Sequence, residues 1–189
     1  MIKNSILYLK SLLEDTGLFS KVYDLCELIT IGNKTYPAWY DGSEFKDISN
    51  FDLNDGTAYF RKSGDISIGV TSAEFQTTSC NNNLFDVNIP LKVICVIKKS
   101  KADCEDAFAA DEFAEIITTI LNGASGVDNV ISANCVVKSY STKGREILKQ
   151  EYSDPSINEF NLKFAYMSFD IEMKLSLDST CLKQPCYNG

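Results

Sequence analysis

The sequence contains no histidine, the residue that most often serves as general base, proton shuttle and zinc ligand near neutral pH. That absence removes the histidine-based nucleophile pairs and leaves only lysine-based or N-terminal-amine ways of activating a serine or cysteine. Long apolar runs are missing too. The longest candidate, Ile89 to Ile97, is interrupted by Pro90 and Lys92 and falls short of the roughly 18 to 20 unbroken residues of a spanning helix. A soluble protein with no membrane partner is expected. There is no Gly-x-x-x-x-Gly-Lys phosphate loop, no Gly-x-Gly-x-x-Gly turn and no Gly-x-Ser-x-Gly elbow. Positive charge is scarce: 18 basic side chains against 26 acidic ones give a net charge of -8. The field of the whole molecule therefore repels phosphate backbones and anionic lipid heads, and a sequence-reading DNA binder is not expected.

What is present is an ordinary globular balance. With 189 residues, 44% of them apolar and 23% charged, the chain can bury a core and fits a single domain. That domain is taken as residues 1–178, with residues 179–189 as a C-terminal tail. No internal repeat and no long Pro/Gly/Ser linker divides it. Seven cysteines is an odd count in a chain too long for a small stapled scaffold, and the start Met1-Ile-Lys-Asn-Ser-Ile lacks a signal peptide's plan. Reduced thiols in a cytoplasm are the expectation. Cys95 and Cys135, among apolar neighbours, read as small core residues. Cys181 and Cys186 look like a pair, but four intervening residues and no second pair or histidine do not make a zinc site, so no metal ligand is assigned; a metal contact and a late disulfide tying down the tail are both minor readings.

Periodicity assigns the elements. Ile2, Ile6, Leu9, Leu12 and Leu13 recur at helical spacing up to Thr16-Gly17, where glycine suits a left-handed cap. Leu18 to Ile31 is rich in β-formers, and Gly32-Asn33, Asp41-Gly42, Asp55-Gly56 and Ser63-Gly64 then punctuate short aromatic runs. Ile66 to Thr71 alternates, Thr77 to Asn83 reads as an exposed loop, and Phe85 to Lys98 is apolar at every second position. Ile94 and Val96 make the C-terminal end of that strand apolar on both faces, so it is expected to lie centrally. Asp103 to Leu121 returns to helical spacing, with Asp103, Glu105 and Asp106 crowding its first turn and Gly123 ending it.

Two last strands, Val130 to Ser139 and Phe160 to Leu177, are predicted on either side of a polar link holding Lys143-Gly144-Arg145 and Asp154-Pro155. In the final strand Ala165, Met167, Phe169, Ile171, Met173, Leu175 and Leu177 take one face and charged or polar residues the other. At about 3.3 Å per residue it would extend roughly 55 to 60 Å, beyond the roughly 40 Å diameter of a compact chain of this length. A β arm that buries its apolar face on a neighbouring subunit is the expectation. The order helix, strands, helix, strands predicts an α+β fold, a largely antiparallel sheet with two main helices packed on it.

Candidate chemistry is thin. Asp52-Leu-Asn-Asp-Gly56 has its glycine one position early for a calcium loop and Ser63 where the closing acid belongs, so it reads as a turn. Asp111-Glu112, and Asp170 with Glu172, are carboxylate pairs read as solvated faces. Lys98-Lys99-Ser-Lys101 and Lys143-Gly-Arg145 are too short for a nucleic-acid groove and read as loops, with local phosphate contact the alternative. Tyr36, Trp39, Tyr40 and Phe45 are balanced between hairpin packing and an interface anchor or sugar-stacking surface. Lys101 to Glu115 holds six carboxylates against one lysine. Helix capping and solubility explain it, and in a ring it would also form an acidic band that lets DNA slide past.

The helix Ile2 to Leu13 followed by Gly17-Leu-Phe-Ser-Lys-Val-Tyr23, the stretches Tyr36-Pro-Ala-Trp-Tyr-Asp-Gly42 and Gly56-Thr-Ala-Tyr-Phe-Arg61, the mid-chain helix between strands and the long closing strand together resemble bacteriophage tail-terminator or tail-completion proteins. The resemblance covers most of the chain as element order. It implies a structural virion protein of the tail or neck, assembled in the bacterial host cytoplasm as a homo-oligomeric ring, a hexamer or dodecamer. It further implies tail tube and connector proteins as partners, DNA only as passing cargo in a lumen, no cofactor and no catalysis. The Cys-rich tail after Asp178 departs from that pattern. A non-structural assembly adaptor, or a small ligand-binding or enzymatic module with a carboxylate site, is the alternative.

Overall fold

The structure, a computed structural model, describes residues 2–40, 43–47, 56–71, 84–103, 108–127, 132–152 and 163–178. Its first element is the expected amphipathic helix, α1 (Ile2–Glu14), which stops at Gly17 with φ +68. Strands β1 (Lys21–Ile31) and β2 (Lys34–Tyr40) form an antiparallel hairpin. Its two-residue turn, Gly32-Asn33, places Gly32 at φ +63, the left-handed conformation that such a turn requires. There follow β3 (Phe45–Asp47), β4 (Thr57–Lys62), β5 (Ser67–Thr71), β6 (Leu84–Lys98), α2 (Ala109–Asn122), β7 (Ser132–Ser141), α3 (Gly144–Glu151) and β8 (Phe164–Asp178).

All eight strands join one sheet in the order β3-β2-β1-β4-β6-β8-β7, with β5 alongside β6. The β1–β4 pairing is parallel and the others are antiparallel. The spine is the β6–β8 ladder, in which each residue from Leu84 to Lys98 pairs with one from Asp178 back to Phe164. On its other side β6 pairs β5 near its start and β4 near its end. Ile94 and Val96 are buried there, as a central strand requires.

The two faces of the sheet differ. On the first, Val87 through Ile97 at alternate positions of β6 and Met167 through Leu177 of β8 meet Leu9 and Leu13 of α1 and Phe113, Ile117 and Leu121 of α2 in one apolar cluster. On the second, Cys26, Tyr59, Ile94, Val96, Phe164 and Tyr166 form a smaller cluster with Ile147 of α3. Beyond α3 that face turns polar, with Asp86, Asn88, Lys92, Asp170, Glu172 and Lys174 half-buried or exposed.

Three expectations are corrected. The closing strand is long, but it is not an arm that needs a neighbour. It lies between β6 and β7, and Met167, Phe169, Ile171, Met173, Leu175 and Leu177 are all buried within this one chain. Residues Gly144–Glu151 of the predicted polar link form a third helix. The mid-chain helix begins at Ala109, with Asp111 and Glu112 in its first turn, and Asp103 lies before it. Glu105, Asp106, the predicted 77–83 loop and the 179–189 tail with Cys181 and Cys186 lie outside the described residues.

Candidate functional site

The most heavily buried charge among the described residues lies under α3. Strand alternation puts Tyr59 and Arg61 of β4 on the second face of the sheet, opposite Ile94 and Lys92 of β6. Ile147 and Glu151 are four residues apart on α3, so they share the helix face turned to the sheet. Glu151 is only 1% exposed, and both its oxygens are engaged: Arg61 Nη1 donates to Oε1 and forms the ion pair, while the Tyr59 hydroxyl donates to Oε2 at 3.0 Å. Arg61 keeps an edge in water, with its side chain 21% exposed. Cys26 sits beside Arg61 across the β1–β4 ladder.

Burial shifts two groups of this cluster. It pushes the Cys26 thiol well above its ordinary value, and the negative charges of Asp24 and Glu151 add to it. Burial also raises the Tyr59 phenol, with Tyr152 and Glu151 adding to the shift. Both groups are therefore neutral. A carboxylate locked this way positions a helix and is not open to a substrate. Ordinary spacing rules did not reveal the pair, because its members are ninety residues apart.

The surface offers a second kind of site. Tyr40 and Phe45 stack at 5.4 Å across the β2–β3 edge, 54% and 48% exposed, and Ile31 at the hairpin tip is 64% exposed. At the opposite edge Tyr140 of β7 packs on Phe169 at 6.0 Å and is still 49% exposed. The free side of β7 is partly blocked, since the amides of Cys135 and Val137 donate to Ala124 O and Asn122 Oδ1 at the C-terminal end of α2. A cleft of about 310 Å³ between α1 and β1 is lined by Lys3, Ile6, Leu7, Asp24 and Leu25.

The residues singled out from sequence separate into groups. Trp39 packs on Tyr23 at 5.5 Å, with the Lys21 ammonium over both rings. Tyr40 and Phe45 instead point outward, which divides the aromatic group between packing and surface. Asp170 and Glu172 do share a face but are tied to cations: Lys92 lies 3.6 Å from Asp170, while Lys138 and Lys174 lie 3.4 and 3.3 Å from Glu172. Desolvation pushes the Glu172 carboxyl upward, but hydrogen bonds and charge from Lys174 and Lys138 outweigh it and hold the group below its ordinary range.

Lys101 donates to the carbonyl oxygens of Gly17 and Leu18, so part of the Lys98–Lys101 cluster ties the end of α1 to the sheet. Lys143 and Gly144 begin α3, and Arg145 is exposed on it. Glu112 accepts from the Asp103 amide. Cys95 and Cys135 are buried in the larger cluster, as expected. Of Asp52-Leu-Asn-Asp-Gly56, read as a turn, only Gly56 is described, and among the described residues no three Cys, Asp or Glu gather as a metal site. Neither a scan against protein-family models nor a search of curated proteins gives a match to this chain.

Proposed function

We propose that this chain is a structural subunit that closes with copies of itself into a ring, and that the ring is the tail terminator or neck of a bacteriophage, joining tail tube to head-tail connector. With the closing strand buried in its own fold, the reading rests on the surface rather than on a strand in search of cover. A ring contact is heterologous: one patch on each copy meets a different patch on the next. The supporting observation is the pair of half-exposed aromatic patches at opposite edges of a single sheet, Tyr40 with Phe45 at one and Tyr140 at the other. Aromatic side chains are enriched in the cores of such contacts. Blocked amides on β7 disfavour open-ended strand addition there, as a closed assembly needs.

The element order that resembles tail-terminator proteins narrows the assembly to a phage ring of six or twelve copies in the virion, built in the host cytoplasm. Exposed Asp111 and Glu115 on α2 would line its lumen and keep passing DNA from sticking. No catalytic step is assigned, since Glu151, the deeply buried carboxylate among the described residues, has both oxygens occupied. Electron microscopy of the purified full chain tests the reading. Closed rings are the expected result, and separate single molecules at high concentration would overturn it.

A further inference from the structure

Helix α3 stands apart from the other two helices. It packs on the second face of the sheet, in the smaller apolar cluster, whereas α1 and α2 cover the first face in the larger one. It has eight residues, fewer than the roughly 12 to 15 that an isolated helix needs to be even marginally stable in water. Its helical state therefore depends on docking. Among the described residues the apolar share of that docking is small: Ile147 is buried, Leu148 is partly buried, and Tyr152 follows, also buried, at the C-terminal end. Its docking also includes the buried Glu151 carboxylate, held by Arg61 and Tyr59. Segments with few buried apolar contacts are the ones that open while the rest of a protein stays folded.

We propose that α3 is a latch that swings off the sheet while the main core stays folded, uncovering an apolar patch of Cys26, Trp39, Ile94, Val96 and Tyr166, and that the Arg61–Glu151 pair sets how often it opens. A buried carboxylate deprived of its cation is strongly unfavourable, and opening the latch relieves it by returning Glu151 to water. Because Arg61 already touches water, loss of Glu151 leaves less stranded charge than loss of Arg61. The pair thus acts as a catch whose two halves are unequal. This inference does not depend on the ring reading.

Cysteine positions make the latch observable. Cys26 is buried in the patch under α3, while Cys95 and Cys135 are buried in the larger cluster. The full chain is treated with iodoacetamide at pH 8 under native conditions, and alkylation of each cysteine is followed by peptide mass spectrometry. Cys26 of the unaltered protein is expected to react at least about tenfold faster than Cys95 and Cys135. Arg61→Met is expected to speed Cys26 by about a further tenfold, with the other two unchanged, and Glu151→Gln by less. A common rate for all three thiols, or no response of Cys26 to Arg61→Met, would overturn the latch. Should Arg61→Met fail to fold, amide hydrogen exchange of the unaltered protein decides. Residues 145–151 exchanging faster than residues 91–97 support the latch, and equal protection refutes it.

Discussion

Replacing Gly56 by alanine tests how closely the start of β4 is pressed between its neighbours. Gly56 has φ +108, and a Cβ there would lie 2.7 Å from Leu18 O and 3.3 Å from Val96 O. Both obstacles are backbone, so no side chain can rotate away. The chain is also pinned, because the amide and hydroxyl of Ser20 both donate to Gly56 O, at 3.0 and 2.8 Å. Strain of about 1–3 kcal/mol for a non-glycine residue held at such a φ adds to about 1–3 kcal/mol for overpacking. A loss of roughly 2–6 kcal/mol is expected from these two causes together.

Gly32 supplies the control: its φ is +63, but nothing lies within 4 Å of a Cβ built there, so alanine meets left-handed backbone strain alone, about 1–2 kcal/mol. For a chain of 189 residues each kcal/mol moves the midpoint by about 2–4 °C. Thermal unfolding followed by circular dichroism should then show Gly56→Ala falling on the order of 10 °C, clearly more than Gly32→Ala. Equal shifts for the two variants would refute the close approach at Gly56.

Met173 is fully buried at the middle of the β6–β8 ladder, so Met173→Ala should cost about 2–5 kcal/mol in urea unfolding, whereas exposed Lys174→Ala should stay within about 0.5 kcal/mol. Glu172 has a lowered folded-state value, so its contribution is present above the ordinary carboxylate value of 4.5 and is lost as pH falls through the lowered one. Glu172→Gln should therefore lower stability at pH 7, by about 0.2–1 kcal/mol for a pair of this exposure, and the difference should vanish in acid. A gap that persists unchanged at low pH would contradict the ion pairs. Burial pushes Cys135 up to about 12 and Cys95 higher still, so stability should fall above about pH 9 as unfolded thiolates form, and a flat alkaline profile would count against it.

Alternation was the strongest signal in the sequence, and it located both β6 and β8 because each strand is apolar on its core face at every second residue. It identified the buried face of β8 but not the elements that cover it. A strand longer than the diameter of a sphere of this mass needs an arm only if it lacks a partner of equal length. Pairing β8 with an equally long β6 along its whole length removes the need. Gly17 and Gly32 were readable since each ends an element with a left-handed residue. Helix α3 was not: Gly144-Arg-Glu-Ile-Leu-Lys-Gln-Glu151 has two large apolar residues, and its helical state depends on a sheet face that no local pattern describes. The Tyr59–Arg61–Glu151 cluster escaped for the same reason, since tertiary pairing alone brings β4 and α3 together.

Sedimentation velocity of the full chain over a wide concentration range, alongside a variant carrying Tyr40→Ser, Phe45→Ser and Tyr140→Ser, most directly tests assembly through the two sheet edges. A closed species of six or twelve copies for the unaltered chain, lost in a variant whose melting temperature is otherwise preserved, is the predicted result. A single-copy species at every concentration, or an oligomer indifferent to all three substitutions, would contradict it.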